Sequence, residues 1–106
     1  MIEQECGVKV EKEYKFHPKR RFKFDYAIVD LKIAIEQEGG VYNGKAHGSV
    51  SGILRDIEKY TLAGANGWIV LRFLPEQMFK NDTINTINQT IQCRYKDNFV
   101  HLKNSK

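Results

Sequence analysis

The sequence predicts a single α/β domain: a mixed central sheet with an antiparallel hairpin, a crossover helix and a flanking C-terminal helix. Three observations predict it. Aromatic and polar residues alternate on both sides of the turn signal His17-Pro18-Lys19, which is the two-residue period of paired strands. A helical pattern ending near Ala65 runs directly into the apolar stretch Trp68 to Phe73, so that strand is expected to lie parallel to an earlier one through a right-handed crossover. Ile84, Ile87, Ile91 and Tyr95 then recur at near-helical spacing, as a helix packed on a core requires. With 106 residues there is room for one such core, and residues 1–106 read as one domain.

Each element has its own signal. Tyr14 and Phe16 alternate with Lys15, and after the turn Phe22, Phe24 and Tyr26 alternate with Lys23 and Asp25, predicting a hairpin with one aromatic face and Asp25 on the other. Asp30 marks a turn. A strand from about Lys32 to Glu38 places Ile33, Ile35 and Gln37 on one face and Ala34, Glu36 and Glu38 on the other. The stretch from Gly39 to Ser51 reads as a polar glycine-rich loop. Ser49 or Ser51 caps the following helix, whose stripe is Ile53, Ile57, Tyr60 and Gly64 with Leu54 and Thr61 beside it, and Asn66-Gly67 stops it. Pro75 interrupts the next strand, Asn81 or Asp82 caps the last helix, and Phe99-Val100-His101-Leu102 is expected to form a short edge strand.

Composition narrows the function classes. A chain that is 42% hydrophobic and 28% charged has the makings of a folded domain rather than a disordered one. No apolar run reaches bilayer-spanning length, and the acidic N-terminus lacks the apolar block of a signal peptide, so a cytoplasmic protein without membrane contact is expected. Cys6 and Cys93 are too few and too distant for a disulfide framework. The net charge of +4 is modest, but Lys9, Lys12, Lys15, Lys19, Arg20, Arg21 and Lys23 face only Glu11 and Glu13 in the same stretch. Such a stripe gathers polyanions, or simply forms a solvated hairpin.

The carboxylates carry the chemistry. If the hairpin pairs through the Asp30 turn, Asp25 comes opposite the Glu36 end of the next strand. Asp25, Glu36 and Glu38 could then surround one hard divalent cation such as magnesium, which prefers oxygen ligands. The ion would activate water and stabilise charge on a phosphodiester. The plainer reading is a set of edge carboxylates facing solvent.

These residues also carry a resemblance. Glu13-Tyr14-Lys15-Phe16-His17-Pro18-Lys19-Arg20-Arg21-Phe22-Lys23-Phe24-Asp25-Tyr26-Ala27 resembles the start of the catalytic hairpin in small phage and prophage endonucleases of the PD-(D/E)XK superfamily. Ile33-Ala34-Ile35-Glu36-Gln37-Glu38-Gly39-Gly40, Gly44-Lys45-Ala46-His47-Gly48, Asp56-Ile57-Glu58-Lys59-Tyr60 and Gly67-Trp68-Ile69-Val70-Leu71-Arg72-Phe73 follow in the same order, so that the likeness covers residues 11 to 80. It implies a restriction-endonuclease-like fold related to mismatch-repair nicking endonucleases of the very-short-patch-repair type. It further implies a magnesium-dependent DNA endonuclease, with manganese as a substitute, acting in a bacterial or phage-infected cell on duplex, nicked, mismatched or branched DNA.

Residue roles follow from the resemblance. Asp25 and Glu36 bind metal, with the backbone carbonyl of Gln37 assisting. Glu38 stands where the superfamily usually has lysine, and Lys59 is the replacement, with Asp56 three residues before it on the helix holding Lys59 or helping to organise the metal site. His47 is a candidate for water activation or phosphate contact. Lys19, Arg20, Arg21, Lys23, Lys45 and Arg55 are candidate phosphate contacts, which supply affinity without sequence information. Arg72 marks the substrate side or pairs with a buried carboxylate. The short leading segment offers only Glu3 and Glu5 where related nucleases use a helical glutamate. A homodimer is expected of an enzyme cutting both strands. The alternatives are a DNA-binding module that kept the nuclease scaffold without catalysis, and a DNA-associated structural accessory protein.

Overall fold

The computed structural model describes residues 7–38 and 50–104, with side chains to residue 97. Strands β1 (Glu11–Lys15), β2 (Lys23–Ile28), β3 (Ile33–Gln37) and β4 (Ile69–Phe73) form one sheet in the order β1-β2-β3-β4. The pairs β1–β2 and β2–β3 are antiparallel, and β4 is parallel to β3. Helix α1 (Val50–Ala65) connects β3 to β4, and α2 (Asn81–Asn104) follows a 3-10 turn at Pro75–Gln77. The result is a mixed four-stranded sheet with a helix on each face.

Alternation along β3 and β4 divides the core between the two faces. Ile33 and Ile35 pack with Ile28, Leu31, Met78, Ile87 and Ile91, and Leu71, Phe73, Tyr26 and Ile84 add to this cluster under α2. Ala34, Phe24, Ala27, Ala63 and Trp68 form the cluster under α1, with Tyr14, Phe16, Val29 and Val70 against them. Its rings interlock, Phe16 stacking on Phe24 at 4.2 Å between centroids and Trp68 lying 4.9 Å from Phe24. Ala27, Ala34 and Ala63 keep the contact between helix and sheet thin, which brings the polar side chains of α1 within reach of β3.

Four local expectations are corrected. Tyr26 does not share the face of Phe24: positions 24 and 27 belong to the α1 side and 26 and 28 to the α2 side, so the period of two breaks at Asp25. Beside it, Glu13 on β1 has a left-handed backbone, with φ of 49°. The apolar stripe of α1 does not face the core, because Ile53, Leu54 and Ile57 are exposed whereas Ala63 is fully buried. Finally, residues 99–102 continue α2, which carries no glycine or proline to stop it, and Tyr95 on that helix is half exposed. Ser49 lies outside the described residues, so the cap predicted there does too, and Ser51 is within the helix. No helix among the described residues is long and apolar enough to cross a membrane.

Candidate active site

The irregularity at Asp25 positions the site. The backbone pairing of β2 with β3 runs from Ile28↔Ile33 to Tyr26↔Ile35, and beyond it the two carboxylates take over as acceptors. The Asp25 N–H donates to Glu36 Oε2 at 2.8 Å, and the Gln37 N–H donates to Asp25 Oδ2 at 2.7 Å. Glu36 is thus held by the backbone N–H of Asp25 itself, and Asp25 by that of Gln37, the residue after Glu36. Asp25 is exposed, and Glu36 is 3% exposed, the one buried charged residue among those described.

A buried carboxylate is costly unless paired and hydrogen-bonded. Helix α1 supplies both partners. Lys59 forms a salt bridge with Glu36 Oε1, and the Tyr60 hydroxyl donates to the same oxygen at 3.2 Å. The ammonium also lies 5.8 Å from the Phe24 ring centroid and 5.3 Å from that of Tyr60, within cation–π range of both. Burial nevertheless dominates and raises the Glu36 pKa above its ordinary value, against the lowering effects of Lys59 and the Asp25 N–H. The Tyr60 hydroxyl is pushed upward as well, by burial and by the charges of Glu36 and Glu38, so it stays protonated and acts as a donor.

Glu38 belongs to a neighbouring pair. Arg72 Nε donates to its Oε1, and the guanidinium carbon sits 4.5 Å from the centroid of the Tyr60 ring. This pairing, with Tyr60, Glu38 and Asp56 nearby, raises the Arg72 pKa. Arg72 is expected to mark the substrate side or to pair with a buried carboxylate; its partner Glu38 is only half-buried, and the buried carboxylate Glu36 pairs with Lys59 instead. The ion pair of Lys59 is with Glu36 and not with Asp56, so of the two roles expected of Asp56, holding Lys59 or helping to organise the metal site, the first is not seen.

Asp25, Glu36 and Lys59 therefore converge from β2, β3 and α1. Asp56, Lys59 and Arg55 line a hollow of about 590 Å³ together with Arg21, Phe22, Lys23 and Gly52. A second hollow of about 380 Å³ continues past Lys19, Arg20, Arg21, Phe22 and Arg55. Four of the predicted phosphate contacts, Lys19, Arg21, Lys23 and Arg55, thus line this connected basic surface. Arg20 joins it while paired with Glu58 at 2.7 Å, its guanidinium 5.1 Å from the Phe22 ring centroid. His17 is structural: its Nδ1 accepts the N–H groups of Lys19 and Arg20, both at 3.1 Å, and so shapes the turn that carries them. Lys45 and His47 lie outside the described residues.

Two residues were not legible as parts of the site. Tyr60 reads as a member of an apolar stripe, and only its place next to Lys59 hinted otherwise. Glu13 shares a hollow of about 380 Å³ with Asp25, Lys12, Tyr26 and Gln37, and nothing in the strand pattern signalled it. Among the described residues no group of three His, Cys, Asp or Glu side chains is arranged to hold a metal ion. Asp25 and Glu36 offer two carboxylates, the number magnesium commonly takes when water and phosphate complete its shell, and both Glu36 oxygens already accept hydrogen bonds. Compared with models of protein families, with curated proteins and with solved structures, the chain has no match.

Proposed function

We propose that this chain is a metal-dependent DNA endonuclease on a restriction-endonuclease-like scaffold. The observation that carries the reading is the convergence of Asp25, Glu36 and Lys59 at one hydrogen-bonded cluster beside a basic hollow. Two carboxylates and a nearby ammonium are what hydrolysis of an anionic diester needs, and here the ammonium comes from α1 while Glu38 occupies the usual lysine position.

Asp25 and Glu36 would hold the cation, for which magnesium is the first candidate and manganese a substitute. When bound, it supplies charge stabilisation at phosphorus and lowers the pKa of the attacking water. The chain's own groups do the rest. The Asp25 N–H keeps Glu36 oriented, and Gln37 does the same for Asp25. Lys59 neutralises Glu36 and donates to a phosphate oxygen as negative charge grows there. Tyr60, protonated, holds the Glu36 oxygen that Lys59 shares. Arg72 keeps Glu38 neutralised, which makes Glu38 a positioning residue and lessens its repulsion of phosphate. Arg21, Lys23 and Arg55 bind flanking phosphates.

A second reading, DNA binding without catalysis, is favoured by the Lys59–Glu36 salt bridge itself, because the pair is already neutral without a cation. One assay separates the two. Purified protein is incubated with supercoiled, linear, branched and single-stranded DNA, with magnesium, manganese or chelator, beside Asp25→Ala and Glu36→Ala. Metal-dependent cleavage lost in both variants is the expected result. Folded protein that binds DNA and cuts none of these substrates would establish the binding module instead.

A further inference from the structure

Helix α1 turns its branched aliphatic residues away from the core. Ile53 is 47% and Ile57 58% exposed, beside Leu54 at 60%, while Ala63 fills the packed side. Against this outer face lies a hollow of about 500 Å³ lined by Ile53, Asp56, Ile57, Tyr60, Thr61 and Arg72. One wall is Tyr60, whose hydroxyl reaches Glu36, so an occupant sits one side chain away from the carboxylate pair. Another wall is the guanidinium of Arg72, held beside the Tyr60 ring and bonded to Glu38 through Nε, which leaves its terminal nitrogens outside that bond.

The lining is amphipathic in a particular way. Ile53 and Ile57 offer flat apolar contact, Arg72 donates, Asp56 accepts, and Thr61 does either. We propose, resting on the nuclease reading, that this hollow receives one unstacked nucleobase of the strand that passes through the carboxylate centre. A base that leaves its neighbours loses stacking, and apolar, aromatic or guanidinium faces restore it. Base edges carry donors and acceptors together, which suits a site holding both a carboxylate and a guanidinium. Charge selects this occupant over a second copy of the chain. Arg21, Lys23, Arg55 and Lys59 line the hollow on the other flank of α1, with Asp56 bordering both. Pairing α1 with α1 would set two such cationic clusters near each other, whereas a nucleic acid brings the opposite charge.

The test uses the full chain with chelator present, so that nothing is cut. Fluorescence anisotropy measures affinity for a short single-stranded oligonucleotide, for the same strand with one abasic site moved along it, and for its perfect duplex. One abasic position should weaken binding about tenfold, the scale of one base–side-chain stacking contact. The double variant Ile53→Ser with Ile57→Ser should lose that position dependence while leaving affinity for the duplex unchanged. Both positions are exposed, and circular dichroism checks that the variant is folded. Equal binding of every abasic strand, or an unaltered profile in the variant, would overturn the subsite. So would a concentration-dependent dimer in sedimentation that the variant abolishes, since a second copy would then own the face. These readouts need no cleavage, so failure of the subsite is distinguishable from failure of the nuclease reading.

Discussion

At Glu36 three donors meet a carboxylate whose pKa burial raises above its ordinary value. Because the folded-state pKa is raised, the folded chain takes up this proton at a higher pH than the unfolded chain does. The group's contribution to stability is therefore fully present below the ordinary carboxylate range and is lost as pH rises through the raised value. Glu36→Gln removes this dependence. Denaturation measured from about pH 4 to about pH 8, spanning the ordinary carboxylate value and the range above it, should show wild type losing stability relative to the variant as pH increases. Lys59→Met probes the other half of the pair. Removing one partner of a buried salt bridge leaves the other uncompensated, with an expected loss of about 3 kcal/mol near neutral pH that shrinks where Glu36 is protonated. A loss that is the same at both ends of the pH range would count against Glu36 as its cause.

Among the elements, α1 joins core to chemistry. Ala63 is buried against the sheet, and the residues one helical turn before it are Lys59 and Tyr60. Ala63→Leu would overpack this contact at a cost of about 1–3 kcal/mol and lift the helix from β3. On the proposed nuclease reading, cleavage should fall further than the folded fraction does, which parallel activity and denaturation measurements would reveal. Much of the element order was legible in the sequence. Alternation gave the hairpin, continuous apolar residues gave β4, and the i, i+3, i+7 isoleucines gave α2. The placement of Asp25 near Glu36 followed from the turn at Asp30. The outward stripe of α1 did not, because periodicity identifies an apolar face without saying what covers it. The packed side here is Ala63 with half-buried Gly52, Asp56, Lys59, Tyr60 and Leu62, of which Lys59 and Tyr60 meet Glu36. The break at Asp25 was equally hidden, since a strand irregularity that is completed by side-chain acceptors leaves the sequence pattern looking regular.

For the molecule as a whole, the basic residues define a surface that continues from the turn at His17 to the middle of α1. Binding of duplex DNA should weaken linearly with the logarithm of salt concentration. Arg21→Ala, Lys23→Ala and Arg55→Ala should each reduce that slope by roughly 0.9 for duplex or roughly 0.7 for single strands, if each side chain meets one phosphate. Arg20→Ala should change it less, because its charge is already partly met by Glu58. Slopes unchanged in all four variants would count against nucleic acid on this surface.

The sheet order also has a kinetic meaning. Strands β1, β2 and β3 are neighbours in sequence as well as in space, whereas β4 joins β3 through partners as distant as Ile33 and Ile69. Closing the first set costs little chain entropy, and closing the second costs more. Asp25 and Glu36 belong to the cheaper closure, while Lys59 and Tyr60 arrive with α1. Native-state amide exchange is thus expected to show α1 and β4 opening as one unit while β2–β3 amides stay protected. In that opened form Glu36 would lose the burial that raises its pKa together with its cation and hydroxyl, so local breathing of a helix becomes proton release at the centre of the site.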